Sequence, residues 1–356
     1  LNKKTHIVQG FQSWKGRSTV FPVNQPAQTS VCILNDFHRG NSHLRRFPRI
    51  PDARFESCGL AITLSNAHGM CVFTGHVMNR LPDISDFTGT RGLRIGAVSY
   101  LNSRPLVQTL PRHAPLASLT LDYPSRLADQ LASGQLDVAL IPSVEYFRRP
   151  GYEVISDACV AARGEVLSVK LFCRVHPGQI RRLALDEGSR TSAALTKVIL
   201  AEHYGVFPET EPLNMQCTTT DTQADAVLLI GDRAMHTPPG HFVEIIDLGQ
   251  FWNRWTGLPF VFAMWVARQD APTDGIDEAL AAARDEGVQL AAEIARTEAP
   301  RLGLDQQTAY RYLTRNLHYH LTSAEKNGLR LFCSLAARHH LVNPDVELIF
   351  RDLVPA

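Results

Sequence analysis

The chain has 356 residues, 44% of them hydrophobic and 20% charged, with a formal net charge of +1. That length suits about two domains with well-filled cores, and so even a charge balance gives no global reason to bind nucleic acid or an anionic membrane surface. The balance is uneven: residues 1–90 hold ten Lys or Arg against five Asp or Glu, which leaves 26 basic and 30 acidic groups for residues 91–356, so an anion site there must be local.

Residues 1–91 open on Leu rather than Met, and Gly, Pro, Ser, Asn, His and Arg interrupt every candidate element. A largely disordered N-terminal extension is expected there. From Gly92 strands and helices alternate: a strand at 93–98, a short helix at 104–110, a strand at 116–121, a helix at 124–134 ended by Gly134, and a buried strand L-D-V-A-L-I-P-S at 136–143. Such alternation argues for a parallel sheet. Residues 152–173 read as extended, then a strand at 179–185, a helix at 191–204 and a strand at 226–232 form a second series. After the aromatic-rich segment 252–266, helices at 276–297, 305–317 and 323–339 close the chain, by their helical periodicity and Ala content. Trp252, Trp255, Phe260, Phe262 and Trp265 read as core or hinge packing.

The order predicts an α/β, two-lobed, periplasmic-binding-protein-like (type II) fold with a ligand cleft between lobes. Lobe 1 would take residues 92–174 plus 263–356, and lobe 2 residues 175–262. Open α/β sheets bind ligands at the carboxyl ends of their strands, and four such ends carry polar turns. The first holds Ser99, Tyr100 and Asn102, the second Ser143 and Glu145, the third D-E-G-S-R-T-S at 186–192, and the fourth Gly231-Asp232. In the third, Ser189, Arg190, Thr191 and Ser192 crowd a helix start, where free N–H groups and a guanidinium suit an anion. An ordinary N-cap by one hydroxyl is the alternative. Asn102 serves either a turn or a ligand, and Ser143 and Asp232 either cap a helix or face the cleft.

Metal chemistry has no sequence support. The seven Cys (32, 58, 71, 159, 173, 217, 333) form no C-x-x-C pair, and the fourteen His, the His318/His320 and His339-His340 pairs included, match no ligand spacing. Reduced thiols and no metal are expected. No stretch reaches the roughly 20 apolar residues of a membrane helix, so no membrane partner and a cytoplasmic location are expected.

Five segments together resemble chorismate dehydratase of the futalosine route to menaquinone: I-G-A-V-S-Y-L-N-S-R-P-L, L-D-V-A-L-I-P-S-V-E-Y, L-D-E-G-S-R-T-S, L-L-I-G-D-R-A and D-L-G-Q-F-W-N-R-W-T-G-L-P-F-V-F-A-M-W. They follow the family's order and cover residues 93 to about 350. The resemblance implies a lyase that converts chorismate to 3-[(1-carboxyvinyl)oxy]benzoate with no cofactor. Under it Asn102 and Ser143 are the catalytic candidates, and Ser99, Tyr100, Ser189, Arg190, Thr191, Ser192, Gly231 and Asp232 the substrate-binding ones. Proton removal would fall to a substrate carboxylate or to a base the sequence does not identify. The alternatives are 1,4-dihydroxy-6-naphthoate synthase, whose family is expected to use a cleft His, and a non-catalytic solute-binding protein. The oligomeric state stays open, a homodimer included.

Overall fold

The computed structural model describes residues 92–351 and, before them, four strands: β1 (Thr19–Val20), β2 (Cys32–Ile33), β3 (Leu60–Ala67) and β4 (Met70–Val77). These four form one antiparallel sheet, in the order β1-β2-β4-β3, within a unit spanning Leu1–Asp83. The rest of that segment, where the sequence predicts a disordered extension, lies outside the described residues.

The second unit, Ile84–Ala356, holds two further sheets. The first contains β5 (Arg94–Val98), β6 (Ser118–Asp122), β7 (Val138–Pro142), β8 (Tyr152–Ala162), β14 (Phe260–Arg268) and β15 (His318–His320), ordered β15-β8-β14-β7-β5-β6. The other contains β9 (Val169–Cys173), β10 (Arg182–Asp186), β11 (Glu209–Leu213), β12 (Ala226–Ile230) and β13 (Glu244–Asp247), ordered β11-β10-β12-β9-β13. Both repeat one plan. In the first sheet β5 pairs in parallel with β6 and β7 and β14 runs antiparallel beside β7; in the other β10 pairs in parallel with β11 and β12 and β9 runs antiparallel beside β12. That is the type II binding-protein-like arrangement the alternation predicts.

Central strands are legible because both their faces are covered: β7 and β12 are buried at every residue. Sheet membership places the chain's two passages between lobes at residues 163–168 and 257–259, some residues from the boundaries read at 174/175 and 262/263. The first passage reads R-G-E-V-L-S between apolar stretches and the second, G-L-P, lies within one, so periodicity alone does not mark where the chain changes sheets.

Helices follow the expected positions with local breaks. The segment read as one helix at 104–110 is two short ones, α1 (Arg104–Val107) and α2 (Leu110–His113), preceded by a 3₁₀ turn, Leu101–Ser103. Pro105 and Pro111 each sit where a helix can begin and cannot continue one. Next come α3 (Pro124–Ala132), α4 (Ser143–Tyr146), α5 (Arg190–Tyr204, closed by Gly205 in the left-handed region) and α6 (Leu248–Thr256). The helix expected at 276–297 divides at Leu290 into α7 (Ile276–Gln289) and α8 (Ala291–Leu302). The one at 305–317 is α9 (Gln306–Arg311) followed by a π-helical turn, Tyr312–Asn316. The last is α10 (Ser323–Arg338), started by a Thr322/Glu325 capping box. No described helix is long and apolar enough to cross a membrane.

The strand-end turn after β5 is fixed partly by α7. A Cβ at Gly287 would stand 1.8 Å from the Pro105 carbonyl oxygen, which is backbone and cannot swing aside. Gly to Ala inside a helix ordinarily stabilises by about 1 kcal/mol. Here Gly287→Ala is expected to destabilise by about 1–3 kcal/mol, read as a lower midpoint in urea unfolding with the m-value unchanged; an unchanged or higher midpoint would contradict this packing.

Candidate functional site

The carboxyl ends of β5, β7, β10 and β12 converge with the first passage and the start of β14 around a cavity. Its walls are mostly apolar: Val98, Pro124, Pro142, Val160, Val166, Val169, Ile230, Phe262 and Ala263. Polar lining comes from Tyr100 and Asn102 after β5, Ser168 on the passage, and Ser189 and Ser192 at the start of α5, with Gly231 after β12. No lining side chain is a carboxylate, imidazole, amine or guanidinium. Among the described residues no group of three or more His, Cys, Asp or Glu could hold a metal.

Each sequence-predicted residue has a definite place. Asn102 lines the cavity, and its Oδ1 is buried without a hydrogen-bond partner. Leaving such an acceptor unmade is costly unless a ligand completes it. Ser189 caps α5 by accepting from the Ser192 N–H at 3.3 Å, and its hydroxyl donates to Ser192 Oγ at 2.7 Å. A helix leaves its first N–H groups without intrahelical acceptors and carries partial positive charge at that end, so this corner turns electropositive backbone toward the cavity.

Tyr100 reaches across to the second lobe. A Cβ added at Gly231 would lie 2.8 Å from its ring carbons, and one at Gly188 would lie 3.3 Å from its hydroxyl. Gly231 also has a φ of +72°, so the close approach and the backbone both require glycine. Burial, then the nearby negative charge of Asp186, pushes the Tyr100 phenol well above its usual range and keeps it protonated.

Four predicted residues make contacts of the fold rather than lining the cavity, and three of them, Arg190, Thr191 and Asp232, join the two lobes. The Arg190 guanidinium grips Asp129 on α3 with two bonds of 2.9 and 2.8 Å and reaches Glu145 on α4 at 3.3 Å. The sequence suggested a free partner for an anion; the structure pairs it with two carboxylates of the opposite lobe. Thr191 Oγ1 accepts from the Val144 N–H at 3.1 Å. The fully buried Ser143 hydroxyl donates to the Val261 carbonyl at 2.7 Å. Asp232 accepts from the Leu101 N–H at 3.1 and 3.3 Å. Ser99 lies outside the lining, its N–H donating to the Asp122 carbonyl at 3.1 Å.

Sequence reasoning placed Asp186 in the strand-end segment 186–192 without giving it a role, and did not single out Asp247, Ser168 or Tyr312. Asp186 accepts from the Gly188 N–H at 2.9 Å and the Ile230 N–H at 3.1 Å and pairs with Arg233, fastening two strand-end turns to each other. Its position at the end of a strand was a usable signal. Ser168, a single hydroxyl in an apolar run, and Tyr312, in an amphipathic helix pattern, offered none.

A family model described as menaquinone biosynthesis matches residues 93–338. Chorismate dehydratase of Thermus thermophilus is 35% identical over 258 residues, covering 64% of this chain and 94% of that protein. Chorismate dehydratase of Campylobacter jejuni is 26% identical over 244 residues, 67% of this chain and 94% of that protein. Among solved structures, a protein from Archaeoglobus fulgidus superposes with a TM-score of 0.55 at 16% identity, covering 70% of this chain and 98% of that one, a likeness of fold.

The cross-lobe contact at Asp232 predicts a pH dependence. Burial, partly offset by the Leu101 N–H bond, pushes its carboxyl up to about 6, above the roughly 3.9 of an unfolded chain. Between those values the folded protein binds the proton more tightly, so stability falls as pH rises from about 4 to 6 and stays lower above. Asp232→Asn should remove that part of the slope. In urea unfolding from pH 4 to 7.5 the variant's relative stability is expected to rise with pH by on the order of 2 kcal/mol; a constant difference would show that Asp232 titrates normally.

Proposed function

Because the chain belongs to the menaquinone-biosynthesis family of chorismate dehydratases, we propose that the cavity between its lobes is where chorismate loses water, making the protein a carbon–oxygen hydro-lyase. The ring hydroxyl leaves from one carbon and a proton from its neighbour, and the electrons of the broken C–H bond complete an aromatic ring. The product is 3-[(1-carboxyvinyl)oxy]benzoate. Aromatisation drives the reaction, so the task left to the protein is to orient the substrate, accept a carbon-bound proton and stabilise the charge that develops.

The observation that carries this reading is Asn102, with a buried, unpartnered amide oxygen on a cavity whose other walls are largely apolar. Asn102 positions the ring and meets the charge that builds as the C–H bond breaks. No lining side chain offers a base, since the Tyr100 phenol is held protonated by burial. The proton therefore passes to a carboxylate of the substrate, which apolar walls make more basic than it is in water. The α5 N-terminus and its Ser189 and Ser192 hydroxyls receive a carboxylate. The naphthoate-synthase alternative calls for a cleft His, and the lining has none.

Mixing the full chain with chorismate in metal-free buffer and following products by liquid chromatography and mass spectrometry should show protein-dependent loss of one water. Asn102→Ala should lower kcat by about 10²–10³-fold, the scale of removing one transition-state hydrogen-bonding group, with KM changed only a few-fold; equal losses in both would overturn the role given to Asn102.

Arg190 closes the cleft rather than binding the substrate. Arg190→Ala and Asp129→Ala should each raise KM by roughly 3- to 10-fold, as expected for a bidentate, partly exposed pair. The double variant should be no worse than either single one, whereas multiplicative losses would return Arg190 to direct substrate contact.

A further inference from the structure

The seam between the lobes carries two ionisable side chains on one short element. The 3₁₀ turn Asp232–Met235 follows β12 in lobe 2, and it reaches lobe 1 at both ends. Asp232 accepts from the Leu101 N–H at 3.1 and 3.3 Å. His236, which ends the turn, donates from Nε2 to the carbonyl of Leu302, the last residue of α8, at 2.9 Å. Neither side chain lines the cavity, and no step of the elimination uses either.

A proton affects the two contacts differently. A carbonyl only accepts, so His236 Nε2 carries a hydrogen whether the ring is neutral or charged. Asp232 gives up water where the lobes meet and receives one backbone N–H in exchange. Asp186, with two N–H groups and a guanidinium, and Asp247, with three N–H groups, are better compensated. Burial, partly offset by the Leu101 bond, pushes the Asp232 carboxyl up to about 6, above the roughly 3.9 of a solvated one.

The charges that face it do not cancel this. Arg104 on α1 and Glu298 on α8, 3.7 Å apart, stand around it with His236; Arg104 and His236 favour the anion and Glu298 opposes it. Glu298 is also paired with Arg301 at 3.3 Å. The Tyr100 and Tyr312 phenols are held protonated by burial, and Tyr312 donates to Ser168 Oγ at 2.7 Å, 144 residues away. Arg233 pairs with Asp186, and Lys170 on β9 is drawn by Asp247 and Glu165.

The cavity walls come from both lobes, which two short passages join. A ligand held between such walls exchanges with solvent as the lobes separate, and separation returns Asp232 to water. We propose that Asp232 is a proton-coupled latch: the lobes meet around a ligand with uptake of a proton at this carboxyl and part with its release. The inference rests on the dehydratase reading for its ligand and adds a regulation of the same site by pH. The form that holds the proton more tightly is favoured as pH falls, so affinity is higher at pH 5 and declines to a plateau as pH rises past 6.

The test is calorimetric titration of the full chain with 3-[(1-carboxyvinyl)oxy]benzoate, in paired buffers of different ionisation enthalpy that count the protons taken up. About 0.8 proton per ligand is expected at pH 5 and about 0.1 at pH 7, with Kd about 10-fold lower at pH 5 than at pH 7.5. Asp232→Asn, whose amide oxygen keeps the Leu101 bond, should show neither proton uptake nor this pH dependence. His236→Gln, which keeps a donor, should retain both. Uptake that survives in Asp232→Asn belongs to a carboxylate of the ligand, and uptake lost in His236→Gln belongs to the imidazole; either result overturns the latch. So does a wild type that binds the benzoate without proton uptake, a count that decides the matter even where a variant fails to fold. A wild type that neither dehydrates chorismate nor binds the benzoate overturns the proposed function, and this inference with it.

Discussion

The Asp247 carboxylate is the contact on which the geometry of the cleft depends. It accepts from the Val166, Leu167 and Gln250 N–H groups and so joins the first passage between lobes to the start of α6. Three backbone donors offset the cost of burying it; burial still raises its pKa, and the donors pull the other way. With the passage bent at Leu167, Ser168 and Val169 turn into the cavity while the chain leaves one sheet and enters the next. A passage of six residues, 163–168, leaves little slack, so the strand ends of both lobes meet around one largely apolar cavity.

Charge is distributed around the cavity rather than inside it. Arg190, Asp129 and Glu145 form one cluster across the lobes, and Asp186 pairs with Arg233 beneath the strand-end turns. Within the lining the polar groups are neutral: hydroxyls, one amide and helix-end N–H groups. A guanidinium against the substrate would stabilise its carboxylate and make it a poorer proton acceptor. Neutral donors hold an anion without suppressing its basicity to the same degree. An elimination that uses the substrate's own carboxylate is therefore served by cations outside the wall and hydroxyls within it.

Much of this was legible in the sequence, and what was missed follows a physical pattern. β5, β7, β10 and β12 announce themselves as apolar runs ending in polar turns because parallel strands are buried on both faces. Those turns at 99–102, 186–192 and 231–232 are where Tyr100, Asn102, Ser189, Ser192 and Gly231 reach the cavity. Of the edge strands β6 was read at 116–121, whereas β11 escaped: it reads E-T-E-P-L, with a proline tolerated only because it lies at the sheet's edge. Arg190 shows the other limit. Its charge is plain in the sequence, but whether it meets a ligand or Asp129 depends on a partner 61 residues away. Tyr312 and Ser168 are still further apart, and neither has a local feature that distinguishes it from core.

The polar turn after β5 joins these levels. Leu101 gives its N–H to Asp232 of the other lobe, and Ser103 turns its hydroxyl back onto the Val98 carbonyl. Between them Asn102 keeps its amide oxygen unpaired. A turn needed only to start α1 would satisfy that oxygen locally, as asparagine does readily. Here the flanking residues supply the backbone bonds, Pro105 begins the helix, and Asn102 is relieved of a structural task. The same arrangement ties the cleft to the contact between lobes: the Asp232 carboxylate that accepts from the Leu101 N–H also fixes the residue next to Asn102.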